Sequence, residues 1–90
     1  MNVGQAIELF LKRSKLYDKV KEAELISRWE KLMGPMVSSR TSKLYINDRV
    51  LYVRLESAVL RAELELGKEK LVRLLNEDIG EEVVRSVRFI

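Results

Sequence analysis

The stretch "KLYINDRVLYVRL", residues 43–55, places an apolar residue at every second position on both sides of Asn47-Asp48-Arg49. Alternation of period two is the pattern of a half-buried strand, and two such runs joined by a turn sequence make a hairpin. With Asp48 and Arg49 as a two-residue loop, Ile46 falls opposite Leu51, Leu44 opposite Val53, Tyr45 opposite Tyr52 and Lys43 opposite Arg54. That register sends the aliphatic residues to one face and leaves Lys43, Tyr45, Tyr52 and Arg54 on the other. The rest of the chain has to fit around this hairpin.

At Ser57 the rhythm changes. Ser57 reads as a helix N-cap, and Leu60, Leu64, Leu71, Leu74 and Leu75 run down one side of a helix as far as Gly80, a C-terminal glycine. Gly67 lies inside that stripe, where glycine costs about 1 kcal/mol relative to alanine. The expectation is either close approach of another element or a kink. The closing "VVRSVRFI" is β-branched and reads as a strand with Val87 and Phe89 inward, Ser86 and Arg88 outward.

Upstream, "NVGQAIELFLKR" opens with Asn2 as N-cap and Gln5 three residues on, a variant of the capping box, followed by Ile7, Phe10 and Leu11 at helical spacing. Ser14 and Lys15 interrupt. Leu16, Val20, Ala23, Ile26, Trp29 and Leu32 then lay a second stripe that ends at Gly34, before Pro35. "PMVSSRT" reads either as one helical turn opened by Pro35 or as an irregular connection. The expected fold is α+β in the order α-α-β-β-α-β, a three-stranded sheet with helices packed on one face. One sheet face then stays uncovered.

Ninety residues make one domain, 1–90, near the lower limit for a single unassisted core. Cysteine and histidine are both absent, which excludes disulfides, zinc ribbons, cysteine nucleophiles and histidine-based proton transfer. The acidic residues fall on helix exteriors or at turns and build no paired acid/base site, and four scattered glycines make no phosphate-cradling loop. The GxxG clamp of RNA-binding KH domains is missing too. The expectation is a non-enzyme. No apolar run approaches the roughly 20 residues needed to cross a bilayer, and no secretory signal opens the chain, so a soluble protein is expected; cytoplasmic residence, also expected, fits the absence of cysteine without following from it.

Net charge is +3, and its distribution is uneven. Residues 34–57 carry Arg40, Lys43, Arg49 and Arg54 against Asp48 and Glu56, whereas residues 58–90 carry six basic and seven acidic groups. The uncovered face therefore mixes tyrosines with cations, a combination suited to stacking bases and neutralising phosphates. Candidate nucleic-acid-binding residues are Arg40, Lys43, Tyr45, Arg49, Tyr52, Arg54 and Arg88. A half-wet sheet whose tyrosines pair across strands accounts for the same pattern. Lys43 opposite Arg54 calls for an anion nearby, which either a phosphate or Glu56 supplies. Trp29 sits on the apolar stripe and is expected in the core. The "KRSK" cluster, residues 12–15, reads as solvated cations at a helix end.

In their order along the chain, "AIELFLKRSKL", "LISRWEKLMG", the threonine before "LYINDRVLYVRL" and "SAVLRAELELGKEKLVRLLNEDIGEEVVRSVRF" resemble the DciA family. The resemblance covers nearly the whole chain and is closest to compact members. It implies a KH-like fold, recruitment or loading of a DnaB-type replicative helicase, affinity for single-stranded or structured DNA, and no catalysis, cofactor, metal or small-molecule substrate. Residue by residue, Trp29 and Gly34 match the family's helix-ending pair, Thr41 its threonine before the first strand, and Ser57, Leu64, Asn76, Gly80 and Phe89 its later positions.

Three departures accompany it. The zinc ribbon ascribed to some relatives has no ligands here. Many relatives carry a long further segment, whereas this chain ends at Ile90, so the expectation is that the folded domain suffices or works differently. The family's frequent Asp-Gly turn reads Asp48-Arg49, and arginine disfavours positive φ, which implies a wider loop or a strained Arg49. Two rival readings stand beside the helicase accessory: a KH-like RNA-binding module, and a protein-binding or self-associating adaptor that pairs through an open strand edge.

Overall fold

The computed structural model describes residues 2–12 and 14–90, and the side chains of 2–7 and 14–90. Phe10, Leu11 and the first half of the "KRSK" cluster lie outside the described side chains. The elements are α1 (Val3–Lys12), α2 (Lys15–Ser38), β1 (Thr41–Asn47), β2 (Val50–Leu55), α3 (Ala58–Leu66), α4 (Lys68–Ile79) and β3 (Ser86–Phe89).

Helix α1 opens with the expected reciprocal cap. The Gln5 amide N–H donates to Asn2 Oδ1 at 2.8 Å, and the Asn2 N–H donates to Gln5 Oε1 at 3.0 Å. The Ser14 hydroxyl caps α2 by accepting from the Tyr17 N–H at 3.1 Å. That helix breaks at Gly34, with φ 81° and ψ 169°, a conformation open essentially to glycine alone. Pro35 then opens a last turn, so "PMVS" is helical.

The stripe expected along α2 is only half right. Of its residues Trp29 is buried and Ile26 and Leu32 are half-buried, but Leu16, Val20 and Ala23 are exposed, and the fully buried Leu25 lies off the expected stripe. The unbroken part of α2, residues 15–33, is about 28 Å long, whereas strands of six or seven residues reach roughly 20–24 Å. The first turns of α2, which carry Leu16 and Val20, extend past the sheet.

The sheet has the order β1-β2-β3, with β1 antiparallel and β3 parallel to β2. Its hairpin register is the expected one, pairing Lys43 with Arg54, Leu44 with Val53, Tyr45 with Tyr52 and Ile46 with Leu51. Asp48 and Arg49 close the loop at φ 49° and 62°, the left-handed pair a type I′ turn requires. The loop is not widened, and Arg49 takes the strained alternative. The chain before β3 holds it there. The Arg85 N–H donates to the Arg49 carbonyl at 2.8 Å, the Arg49 guanidinium donates to the Glu82 carbonyl at 2.8 Å, and the Arg85 guanidinium reaches Asp48 at 3.3 Å.

Between β2 and β3 the expected single helix is two. Ser57 caps α3 through the Leu60 N–H at 3.2 Å, and Gly67 ends α3 and begins α4 at φ −105°, ψ 20°. A Cβ placed on Gly67 meets nothing within 4 Å, so close approach of another element is excluded and the glycine marks a break. Its consequence is unequal burial: Leu71 and Leu75 of α4 enter the core while α3 buries no residue fully. Leu74, expected on the same stripe, is 44% exposed.

Core residues come from every layer: Leu25 and Trp29 from α2, Leu51, Val53 and Leu55 from β2, Leu71 and Leu75 from α4, and Val87 from β3. The class is α+β, with helices covering one sheet face; the element order gains one helix over the expected one. The two covering helices are tied by a bidentate pair, Arg28 Nε to Asp78 Oδ2 at 2.9 Å and Nη2 to Oδ1 at 3.0 Å. Hydrogen bonding from Arg28 holds the Asp78 carboxyl below the usual carboxylate range, against the opposing effect of desolvation. A depressed carboxyl pKa stabilises the fold fully above the unfolded-state value of about 4 and ceases to do so as pH falls through the folded value. Urea midpoints of the protein and of Asp78→Asn should therefore differ at neutral pH and converge as pH falls below the unfolded-state value of about 4; a gap independent of pH would show that the charge of Asp78 is irrelevant.

Candidate nucleic-acid interface

The uncovered sheet face is assembled by alternation. Lys43, Tyr45 and Asn47 of β1 lie beside Arg54, Tyr52 and Val50 of β2, and Arg88 of β3 comes opposite Tyr52. At its centre the Tyr45 and Tyr52 rings stack, 4.9 Å between centroids and 11° from parallel. Such a cross-strand pair contributes about 0.5–1.5 kcal/mol beyond its area, and it keeps two aromatic rings fixed on a wet surface. Tyr45 is 41% exposed.

Of the seven candidate residues, Lys43, Tyr45, Tyr52, Arg54 and Arg88 share this face. Arg40 lies in the turn before β1, where its carbonyl accepts from the Glu56 N–H at 2.8 Å, so it flanks the Arg54 end. Arg49 is at the opposite tip and is engaged with Glu82. The anion called for by Lys43 and Arg54 is already present, because Glu56 Oε1 lies 3.4 Å from Arg54 Nε and accepts from the Ser42 hydroxyl at 2.7 Å. A phosphate at this end would exchange with a carboxylate at the surface rather than fill an unmet need.

The local ladder is irregular just where this face begins. Thr41 pairs with Leu55 and Lys43 with Arg54, so Ser42 is an extra residue on β1, a β-bulge. Strict alternation would put Thr41 on the same side as Lys43. The bulge turns it to the core side instead, where its hydroxyl accepts from Trp29 Nε1 at 3.2 Å and donates to the Val37 carbonyl at 2.9 Å. One threonine thus fixes the indole of α2, the final helical turn and the start of β1.

Asn76 does similar work at the other end. Its Oδ1 accepts from the Val83 and Val84 N–H groups at 2.9 and 3.1 Å, and its Nδ2 donates to the Val84 carbonyl at 2.8 Å. Gly80, at φ 94°, donates its N–H to the Asn76 carbonyl at 2.9 Å. These bonds place Val83 and Val84 in the core and present β3, with Arg88, to the sheet. Sequence reasoning had marked Thr41 and Asn76 only as positions matching a family; their bonds depend on a bulge and a loop that spacing does not reveal.

Among the described residues no group of acidic side chains is arranged to hold a metal ion, and no helix is long and apolar enough to cross a membrane. Comparison with curated proteins and with solved structures found no match, so no structural relative accompanies the KH-like expectation. The family model described as "Dna[CI] antecedent, DciA" matches residues 2–89, nearly the whole of the chain that builds the sheet, its covering helices and the Thr41 and Asn76 ties. This protein belongs to the DciA family.

Proposed function

We propose that the chain is a non-catalytic accessory protein of DNA replication, acting in the cytoplasm, that recruits or loads a DnaB-type replicative helicase and binds single-stranded DNA across its open sheet face. Family membership supports the helicase role. The observation that carries the DNA role is the stacked Tyr45–Tyr52 pair with Lys43, Arg54 and Arg88 on the same uncovered face. Aromatic rings offer stacking to any base, at about 1–3 kcal/mol each, and the cations add a salt-dependent phosphate term without reading sequence. Binding of this type tolerates many sequences, which suits a protein that meets DNA wherever it is opened.

Replacing Tyr52 and Arg54 together with alanine should weaken single-stranded DNA binding by about tenfold or more and reduce the slope of log K against log salt by about one. Both side chains point away from the core, so the circular dichroism spectrum should persist. Unchanged affinity in the folded variant would remove this face from DNA binding. Titration with matched DNA and RNA strands at one salt concentration separates the RNA reading, which a clear RNA preference would favour. Retention of the host's replicative helicase after nuclease treatment tests the protein contact; its absence sinks the helicase role.

A further inference from the structure

The two edges of the sheet are unequally guarded. β3 is four residues long, carries Arg88, and has Lys68 Nζ 5.9 Å from the centroid of the Phe89 ring; short, charged edges resist further pairing. The regular part of β1 is longer, running from Lys43 to Asn47 between the bulge at Ser42 and the turn at Asp48. In a hairpin closed by a two-residue type I′ loop, the pairs Asn47–Val50, Tyr45–Tyr52 and Lys43–Arg54 spend their backbone groups on β2. Leu44 and Ile46 therefore turn N–H and C=O outward. Among the described residues none of these four groups has a backbone partner, and β1 is the terminal strand.

We propose that β1 pairs antiparallel with β1 of a second copy of this chain about a two-fold axis at Tyr45, joining two sheets into one of six strands. Tyr45 is the midpoint of the regular segment 43–47, so a two-fold axis there brings the whole segment into register with its copy. Leu44 of each copy exchanges two backbone hydrogen bonds with Ile46 of the other, and Tyr45 meets its own counterpart at a non-hydrogen-bonded position, where side chains approach most closely. The existing stack of Tyr45 on Tyr52 then extends into a row of four rings. Lys43 comes opposite Asn47 of the second copy and next to its Asp48. Sliding the pair by two residues is worse in both directions: one slide sets Lys43 against Arg49, the other runs the bulged Ser42 into the ladder. On the core side, Ile46 of the second copy lands beside Leu44, at the mouth of an open groove of about 430 Å³ whose lining includes Ile26, Trp29 and Leu44.

This pairing is independent of nucleic acid and is tested without it. The chain has no cysteine, so an engineered one reports only contacts between copies. Tyr45→Cys should form a disulfide-linked dimer under mild oxidation about tenfold faster than Lys43→Cys, whose counterpart lies four pairs away from it across the axis. Sedimentation equilibrium of the unmodified protein should show a concentration-dependent rise toward twice the mass of one chain, and Tyr45→Lys, which sets like charges together on the axis, should weaken the association about tenfold or more. A mass of one chain up to about 1 mM, the weakest association worth the name, would overturn the proposal. So would cross-linking of Lys43→Cys as fast as Tyr45→Cys.

Discussion

Trp29→Ala is expected to remove about 3–5 kcal/mol of stability, a large part of the roughly 5–13 kcal/mol available to a chain of this length. The indole is 3% exposed and lies among Leu25, Leu51, Val53 and Leu55 in one core cluster, so truncation opens a cavity that rigid strands cannot collapse. It also withdraws the hydrogen bond to Thr41. Because Trp29 is the only tryptophan, urea unfolding has to be followed by circular dichroism. Trp29→Phe separates the two effects: it keeps most of the ring and loses the bond, at about 1 kcal/mol plus the difference in volume. A loss under about 1 kcal/mol for the alanine variant would mean that Trp29 does not anchor the core.

Asn76→Ala should cost about 2–4 kcal/mol, because it strands two amide N–H groups and a carbonyl in a region with little water, each at about 1–3 kcal/mol before relaxation. Val83 and Val84 are 8% and 0% exposed, so their backbone has few other partners to turn to. The damage should spread in a defined direction. Residues 82–85 also hold Arg49 and Asp48 at the hairpin tip, so amide exchange should quicken at β3 and at the turn before it quickens in α2. Equal acceleration everywhere would make Asn76 a general packing residue rather than the organiser of this connection.

How far the sequence specified the molecule depends on the kind of interaction involved. The hairpin register, the caps at Asn2 and Ser57, and the breaks at Gly34 and Gly80 were all legible, because each rests on neighbours within a few residues whose chemistry admits one geometry. Gly67 was legible as an interruption but not as the boundary of two helices, since a glycine inside a leucine stripe looks the same whether it bends a helix or admits a neighbour. The exposure of Leu16 and Val20 was hidden for another reason: periodicity shows that a helix has an apolar side, not where the surface beneath it ends. The shared face of Lys43, Tyr45, Tyr52, Arg54 and Arg88 followed from alternation alone. So did the place of Arg49 in the loop, but not its engagement with Glu82, which lies 33 residues away.

The bulge at Ser42 has a consequence for how this chain tolerates insertion and loss. A substitution there alters an exposed side chain and its hydrogen bonds to Glu56 and to the Arg54 carbonyl, which is a small change at the surface. Removing the residue is a change of parity: the ladder closes up, Thr41 rotates to the wet side, and the indole of α2 loses its acceptor. Position 42 matters by being occupied, whatever occupies it, so its importance is written in the count of residues between Trp29 and the hairpin and not in the identity of any one of them.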